Sequence, residues 1–365
     1  MAPNPPAPQD RPQSRSQPTR WDRRQPVAVD ESAGSRPGRL FTLLIGTLCL
    51  AMTGGVVYMW KQGWLEPGVA AGMNTGRQSL SHESIMASLD SARKYMNEGE
   101  WGKAEAILRQ AAMEHPEEQE IRIALAEDLV AQKKFTEAYD QYEKALAIGP
   151  REGKIEFAAG LVANTAGKPD RALEHFFAAQ TADPASSAYA LNLGLVQRKL
   201  NDLDGAKANL LRAANLDPTN AYAWGVMADI ALGENNVGIA LQHIARARGL
   251  QPESRDWRLI EARALKRKGE PERALMILLP IEVSQRREPQ VVRLIAECYG
   301  MLQRPADAAA ALADASLAAP TDGELAYDAA VGFERAGDRA NAVEFAERGK
   351  MLGHPGAAKL LERMQ

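Results

Sequence analysis

The sequence predicts an all-α chain: a solenoid of stacked helix pairs, preceded by one transmembrane helix and a disordered N-terminal segment. Three observations carry this. Small and large residues recur in register every 34 residues from about Ser84 onward, alanine is abundant there, and Leu40 to Trp60 contains no charged residue. Alanine loses no side-chain entropy on entering a helix, so this composition favours helix over strand.

Residues 1–39 are rich in Pro, Arg, Gln and Ser. They hold too little apolar surface to offset the entropy of ordering, so disorder is expected. Seven arginines (Arg11, Arg15, Arg20, Arg23, Arg24, Arg36 and Arg39) make the segment basic.

The next stretch, residues 40–60, reads LFTLLIGTLCLAMTGGVVYMW, 21 residues without a charge. About 20 helical residues span a bilayer core. Tyr58, Trp60 and Trp64 suit an interfacial aromatic belt, where Lys61 can snorkel. A buried globular helix would show a polar face, and a cleaved signal peptide would be followed by a small-x-small site. Leu48, rather than a small residue, precedes Cys49, against a lipoprotein signal. Five arginines lie between Arg20 and Arg39, but only Lys61 and Arg77 are basic from Lys61 to Leu80. The positive-inside rule then expects a single-pass protein of the cell inner membrane, its N-terminus cytoplasmic and its C-terminal part periplasmic. Thr47, Ala51 and Gly55 form a small-residue stripe suited to packing on another helix, which leaves a homo-oligomer open. Residues 61–84 are expected as a juxtamembrane linker.

The repeat fills residues 85–356. Alanine stands at 104, 138, 172, 206, 240, 274, 308 and 342. Twelve residues before each comes another small residue: Ala92, Ala126, Gly160, Gly194, Ala228, Ala262, Ala296 and Ala330. Four residues after each stands a large one (Leu108, Tyr142, Phe176, Leu210, Ile244, Leu278, Leu312), failing only at Ala346. Small residues follow at 111, 145, 179, 213, 247 and 315, and prolines close the units at 116, 150, 184, 218, 252 and 320. Residues at i, i+4 and i+7 share one helix face. Small residues on both helices let the backbones approach, and the large one fills the space beside them. The proline ends the second helix. One pair cannot bury both faces, so pairs must stack.

These columns resemble the tetratricopeptide repeat (TPR). The resemblance covers roughly Ile85 to Gly356 as eight units, with Arg286 in place of the sixth proline and Ala346 and Gly349 at packing positions of the eighth. It implies a right-handed α-solenoid of about one superhelical turn. Residues 357–365 read as a capping helix.

No chemistry-bearing motif accompanies the repeat. Cys49 and Cys298 form no disulfide framework or zinc spacing. His82, His115, His175, His243 and His354 show no ligand spacing and are expected as exposed helix residues. No phosphate loop, nucleophile elbow or dinucleotide fingerprint occurs. Neither an enzyme nor a cofactor or metal is expected, and a net charge of −3 does not call for nucleic acid as a partner.

The resemblance instead implies that each first helix lines a concave groove holding a protein or peptide partner. Carried onto this chain, apolar groove candidates are Met86, Leu89, Ile123, Val130, Phe157, Leu161, Leu191 and Leu195. Basic candidates are Arg198, Lys199, Arg263, Lys266, Arg267 and Arg293. Packing between repeats is the competing role for the leucines. Residues 83–143 hold 14 acidic and 7 basic side chains, residues 246–293 hold 7 and 12, a split suited to a partner apolar at one end and acidic at the other. The carboxylate clamp of TPR co-chaperones is missing: Asn192 matches alone, with Phe157, Leu161, Tyr222 and Val226 at neighbouring clamp positions. Three functions compete: a scaffold in an envelope assembly (pilus, secretion, polysaccharide export or cofactor insertion), a periplasmic chaperone or translocon accessory, and a cytosol-facing import receptor.

Overall fold

A computed structural model describes residues 67–364, and among them are 18 helices and no strand. The N-terminal segment 1–39 and the expected anchor at 40–60 lie outside the described residues. Among the described residues, no helix is long and apolar enough to cross a membrane.

The first helix, α1 (Pro67–Asn97), starts at a proline and meets no other before its end. Proline suits a first turn because the N–H it lacks would be unpaired there anyway. The helix thus takes in residues 67–84, assigned above to a linker, and runs unbroken into the first repeat. Five more helices complete the first of two compact units, which meet in sequence between Pro184 and Ala185. They are α2 (Trp101–Glu114), α3 (Gln119–Ala131), α4 (Phe135–Ile148), α5 (Gly153–Thr165) and α6 (Pro169–Ala182).

The second unit opens with α7 (Ser187–Lys199), α8 (Leu203–Leu216), α9 (Ala221–Gly233), α10 (Val237–Leu250), α11 (Arg255–Lys268) and α12 (Pro271–Leu278). It continues with α13 (Val283–Arg286), α14 (Pro289–Met301), α15 (Pro305–Ala318), α16 (Gly323–Ala336), α17 (Arg339–Met351) and α18 (Pro355–Met364). In each unit, neighbouring helices pack against one another, with α12 meeting α14 past the short α13.

The registered columns are the packing contacts. Ala104, Ala138, Ala172, Ala206, Ala240 and Ala274 are fully buried, and so are Leu108, Phe176, Leu210 and Ile244 of the large column. Each such Leu, Ile or Phe contributes about 1.5–3 kcal/mol on leaving water. A Cβ on Gly160 would stand 2.7 Å from the Phe176 ring, and one on Gly194 would stand 2.9 Å from Leu210 Cγ. The large residue of the second helix therefore occupies the space that the small column leaves open.

The turn inside each repeat has one recurring geometry. Positive φ occurs at Gly99, Lys133, Gly167, Asn201, Asn235, Gly269, Gln303 and Gly337, again 34 residues apart. At Lys133, the amide bonds to the Val130 carbonyl, and the next amide reaches back to Leu129. These paired bonds satisfy carbonyls that the helix end would leave open, in the Schellman pattern.

The weak repeats have physical causes. In the sixth, Pro280 ends α12 after eight residues, and the four-residue α13 follows where other repeats continue one long helix. In the eighth, a Cβ on Gly349 would lie 3.4 Å from Ala357 Cβ, so a small residue there admits α18. That helix buries Ala357, Leu360 and Met364 and exposes Lys359, Glu362 and Arg363, with Arg363 paired to Glu334 at 2.6 Å.

Candidate functional site

In the first unit, the groove candidates separate by burial. Leu89 is 1% exposed and belongs to the core, whereas Met86 is 37% exposed. Ile123, Val130, Phe157 and Leu161 are half-buried and present partial apolar surface. Phe157 is held by the Phe176 ring, their centroids 5.7 Å apart.

The same unit corrects one expectation. His175 is buried, not an exposed helix residue. Its Nδ1 lies 2.7 Å from Glu156 Oε2, its Nε2 3.1 Å from Glu143 Oε1 and 3.4 Å from the Tyr139 hydroxyl. Arg151 donates to Glu156 at 2.6 Å. Burial alone would raise the Glu156 carboxyl, but the Arg151 and His175 hydrogen bonds outweigh it and hold it below its usual range. Tyr139 is pushed up to about 12, by burial first and by the Glu143 charge second, so its hydroxyl stays protonated. These partners sit 19, 32 and 36 residues from His175, which is why no local motif announces them. The array joins the second and third repeats. Glu156 and His175 are both buried, so removing one leaves the other short of a hydrogen-bond partner away from water, at a cost of about 1–3 kcal/mol.

In the second unit, the basic candidates find carboxylates on the following repeat. Arg198 donates to Asp229 at 3.2 Å, Arg293 to Asp328 at 2.6 Å, and Lys266 pairs with Glu297. Arg267 donates to the Leu232 carbonyl at the end of α9. Arg263 is half-buried and Lys199 exposed, Leu195 is half-buried, and Leu191 is buried in the core. Asn192 is also buried and donates to the Ala188 carbonyl of its own helix.

Beside Lys266 and Arg293 the second unit opens into a cleft of about 850 Å³. Its floor is built from small and aliphatic residues of α14, α15 and α16: Ala296, Gly300, Ala308, Leu312 and Gly332. Met301, Tyr327 and Val331 wall it, and Glu297, Asp328 and Arg335 share the rim with Lys266 and Arg293. Gly332 is required by close approach, since a Cβ there would stand 3.0 Å from Ala309 Cα. Gly300 is not, for a Cβ there meets nothing within 4 Å. The Tyr327 ring stacks on His354 with centroids 4.0 Å apart, which holds it as a rigid wall.

Of the groove candidates, Lys266 and Arg293 line this cleft; Arg293 is the one drawn from the seventh repeat and none comes from the eighth, although these two repeats supply most of the cleft. The signal was present: Tyr327 lies 34 residues after Arg293, and Val331 34 after Glu297. Among the described residues, no group of His, Cys, Asp or Glu is placed to hold a metal ion. Cys298 is buried, and burial pushes its thiol up to about 11.

Tetratricopeptide-repeat family models match residues 95–155, 157–221 and 226–279. The repeats read from the columns are therefore tetratricopeptide repeats over those residues, and the helix pairs continue with the same period beyond them. No curated protein matches the chain. Among solved structures, a tetratricopeptide repeat protein from Parabacteroides merdae is similar at 14% identity over 77% of this chain and 99% of that one, with a TM-score of 0.46. Pseudomonas aeruginosa pilF is similar at 21% identity over 60% of this chain and 99% of that chain, TM-score 0.49. Yeast Tom70 is similar at 18% identity over 72% and 58% of the two chains, TM-score 0.46. Identities this low transfer no ligand.

Proposed function

We infer that this chain, a tetratricopeptide-repeat protein, is a membrane-anchored interaction scaffold that holds a segment of a protein partner in its groove. The observation that carries the reading is the cleft of the second unit, an apolar floor with a charged rim built by successive repeats. Its volume falls within the range, about 300–1,000 Å³, of sites that enclose small ligands. The cleft has a rigid aromatic wall and no nucleophile–base pair at its rim, which favours binding over catalysis. The anchor at Leu40 to Trp60 and a periplasmic location for the repeats are supported by the uncharged run and the arginine-rich flank. That topology favours a component of an envelope assembly as the partner.

Two measurements test this. Cross-linking pull-down of the full chain from membranes is expected to recover a partner that is lost when Tyr327→Ala and Arg263→Glu are combined. Recovery of the same partner by that variant counts against the groove. A C-terminal reporter fusion is expected to be active only in the periplasm, and activity confined to the cytoplasm overturns the topology.

A further inference from the structure

We propose that the cleft of the second unit reads an apolar side chain with a carboxylate within one or two residues of it on the partner's segment. This rests on the scaffold reading and names what the groove accepts.

The first half of the signature comes from the floor. Ala296, Gly300, Ala308 and Gly332 line the cleft with backbone and small side chains, which leaves room there that longer side chains would fill. At Gly300 no neighbour fills the space a side chain would take. Met301, 47% exposed at the edge, is a flexible apolar side chain that can close on an inserted group. Tyr327 cannot retreat: His354 stacks on its ring, and Gly356 lies so close that a Cβ there would touch the ring at 3.1 Å. Water in such a space has few polar partners, and an apolar side chain displaces it favourably.

The second half comes from charge. Of five charged side chains on the rim, four form pairs, Lys266 with Glu297 and Arg293 with Asp328. The fifth, Arg335, is exposed and has no carboxylate partner among the described residues. The uncompensated charge beside the apolar floor is thus positive, and a guanidinium is suited to two parallel hydrogen bonds with one carboxylate. A basic segment would face Arg335 while finding the rim carboxylates already engaged, so the site discriminates by repulsion as well as attraction.

The test uses the full chain in detergent micelles, panned against a phage-displayed library of random octapeptides. The enriched peptide is then resynthesised and titrated by fluorescence anisotropy. The expected consensus joins a Phe, Tyr, Leu or Met to an Asp or Glu within two positions. Gly300→Leu, which fills the cleft without touching the core, is expected to weaken binding at least about tenfold. Arg335→Glu is expected to weaken the acidic peptide and strengthen its Asp→Lys analogue. A consensus without an acidic residue, or affinity indifferent to both variants, overturns the proposal. Binding that ignores Gly300→Leu but is lost with Phe157→Ala would place the peptide in the first unit, sinking this inference and leaving the scaffold reading intact. No enrichment from the library, together with no partner in the membrane pull-down, sinks both.

Discussion

Half of the turns within repeats hold their left-handed residue without glycine. Lys133 (φ 62°) and Gln303 (φ 57°) have neither the free rotation of glycine nor the short polar side chain with which asparagine tolerates this region, the residue type found at Asn201 and Asn235. The strain costs about 1–2 kcal/mol per residue, partly offset because glycine gives the unfolded chain more freedom. Lys133→Gly and Gln303→Gly are each expected to stabilise by about 0.5–1 kcal/mol, read as a raised urea midpoint, with Asn201→Gly gaining less. Charge at the residue scale has its own signature. Glu105 accepts from Lys134 at 2.8 Å, from Arg109 at 2.7 Å and from Gln132 at 2.9 Å. The Lys134 hydrogen bond foremost, with those of Arg109 and Gln132, overcomes the effect of burial and holds its carboxyl at about 2. A folded pKa below the unfolded one gives stability that is complete above about 4.5 and is lost as pH falls toward 2. Glu105→Gln should therefore flatten the decline of melting temperature across that window. Equal slopes for the two proteins would show that the network contributes nothing.

Helices are where one substitution takes opposite signs. A Cβ on Gly225 of α9 would lie 1.9 Å from the ring of Trp257, which is buried and cannot move aside. Gly225→Ala is expected to destabilise by about 1–3 kcal/mol through overpacking. In α14, where Gly300 borders open space, the same change should stabilise by about 0.5–1 kcal/mol, since alanine is the better helix former. Thermal denaturation of both variants checks the pair, and a shared sign would contradict the packing. The period of 34 is legible in the sequence because every repeat reuses the same contact positions. The left-handed column is only half legible, since glycine marks Gly99, Gly167, Gly269 and Gly337 but nothing marks Lys133 or Gln303. The sixth repeat's proline is missing at Arg286, but the structural break is set earlier, by Pro280.

Across the molecule, stability in a repeat array is a sum of local terms and nearest-neighbour interfaces, so a poor unit is felt where it stands. The second helix of the sixth repeat is the shortest among the repeats described, eight residues against 13 or 14 elsewhere. Hydrogen exchange is expected to reach residues 271–286 before residues 203–216 or 237–250, and the reverse order would mean that the break is not a weak point. What the sequence leaves hidden is long-range pairing. Neither the clustering of His175 with Glu156 nor the meeting of Arg198 with Asp229 follows from any spacing within one helix. The basic stretch accordingly reads in sequence as an open attractor for acid, while in the fold Arg198, Lys266 and Arg293 each already hold a carboxylate from the next repeat. That arrangement works as an ion exchanger whose counter-ions are covalently attached. An acidic visitor at those three cations displaces a resident rather than filling a vacancy. Little net charge is neutralised in the swap, so selectivity there is set by how well the visitor fits and changes little with the salt around it.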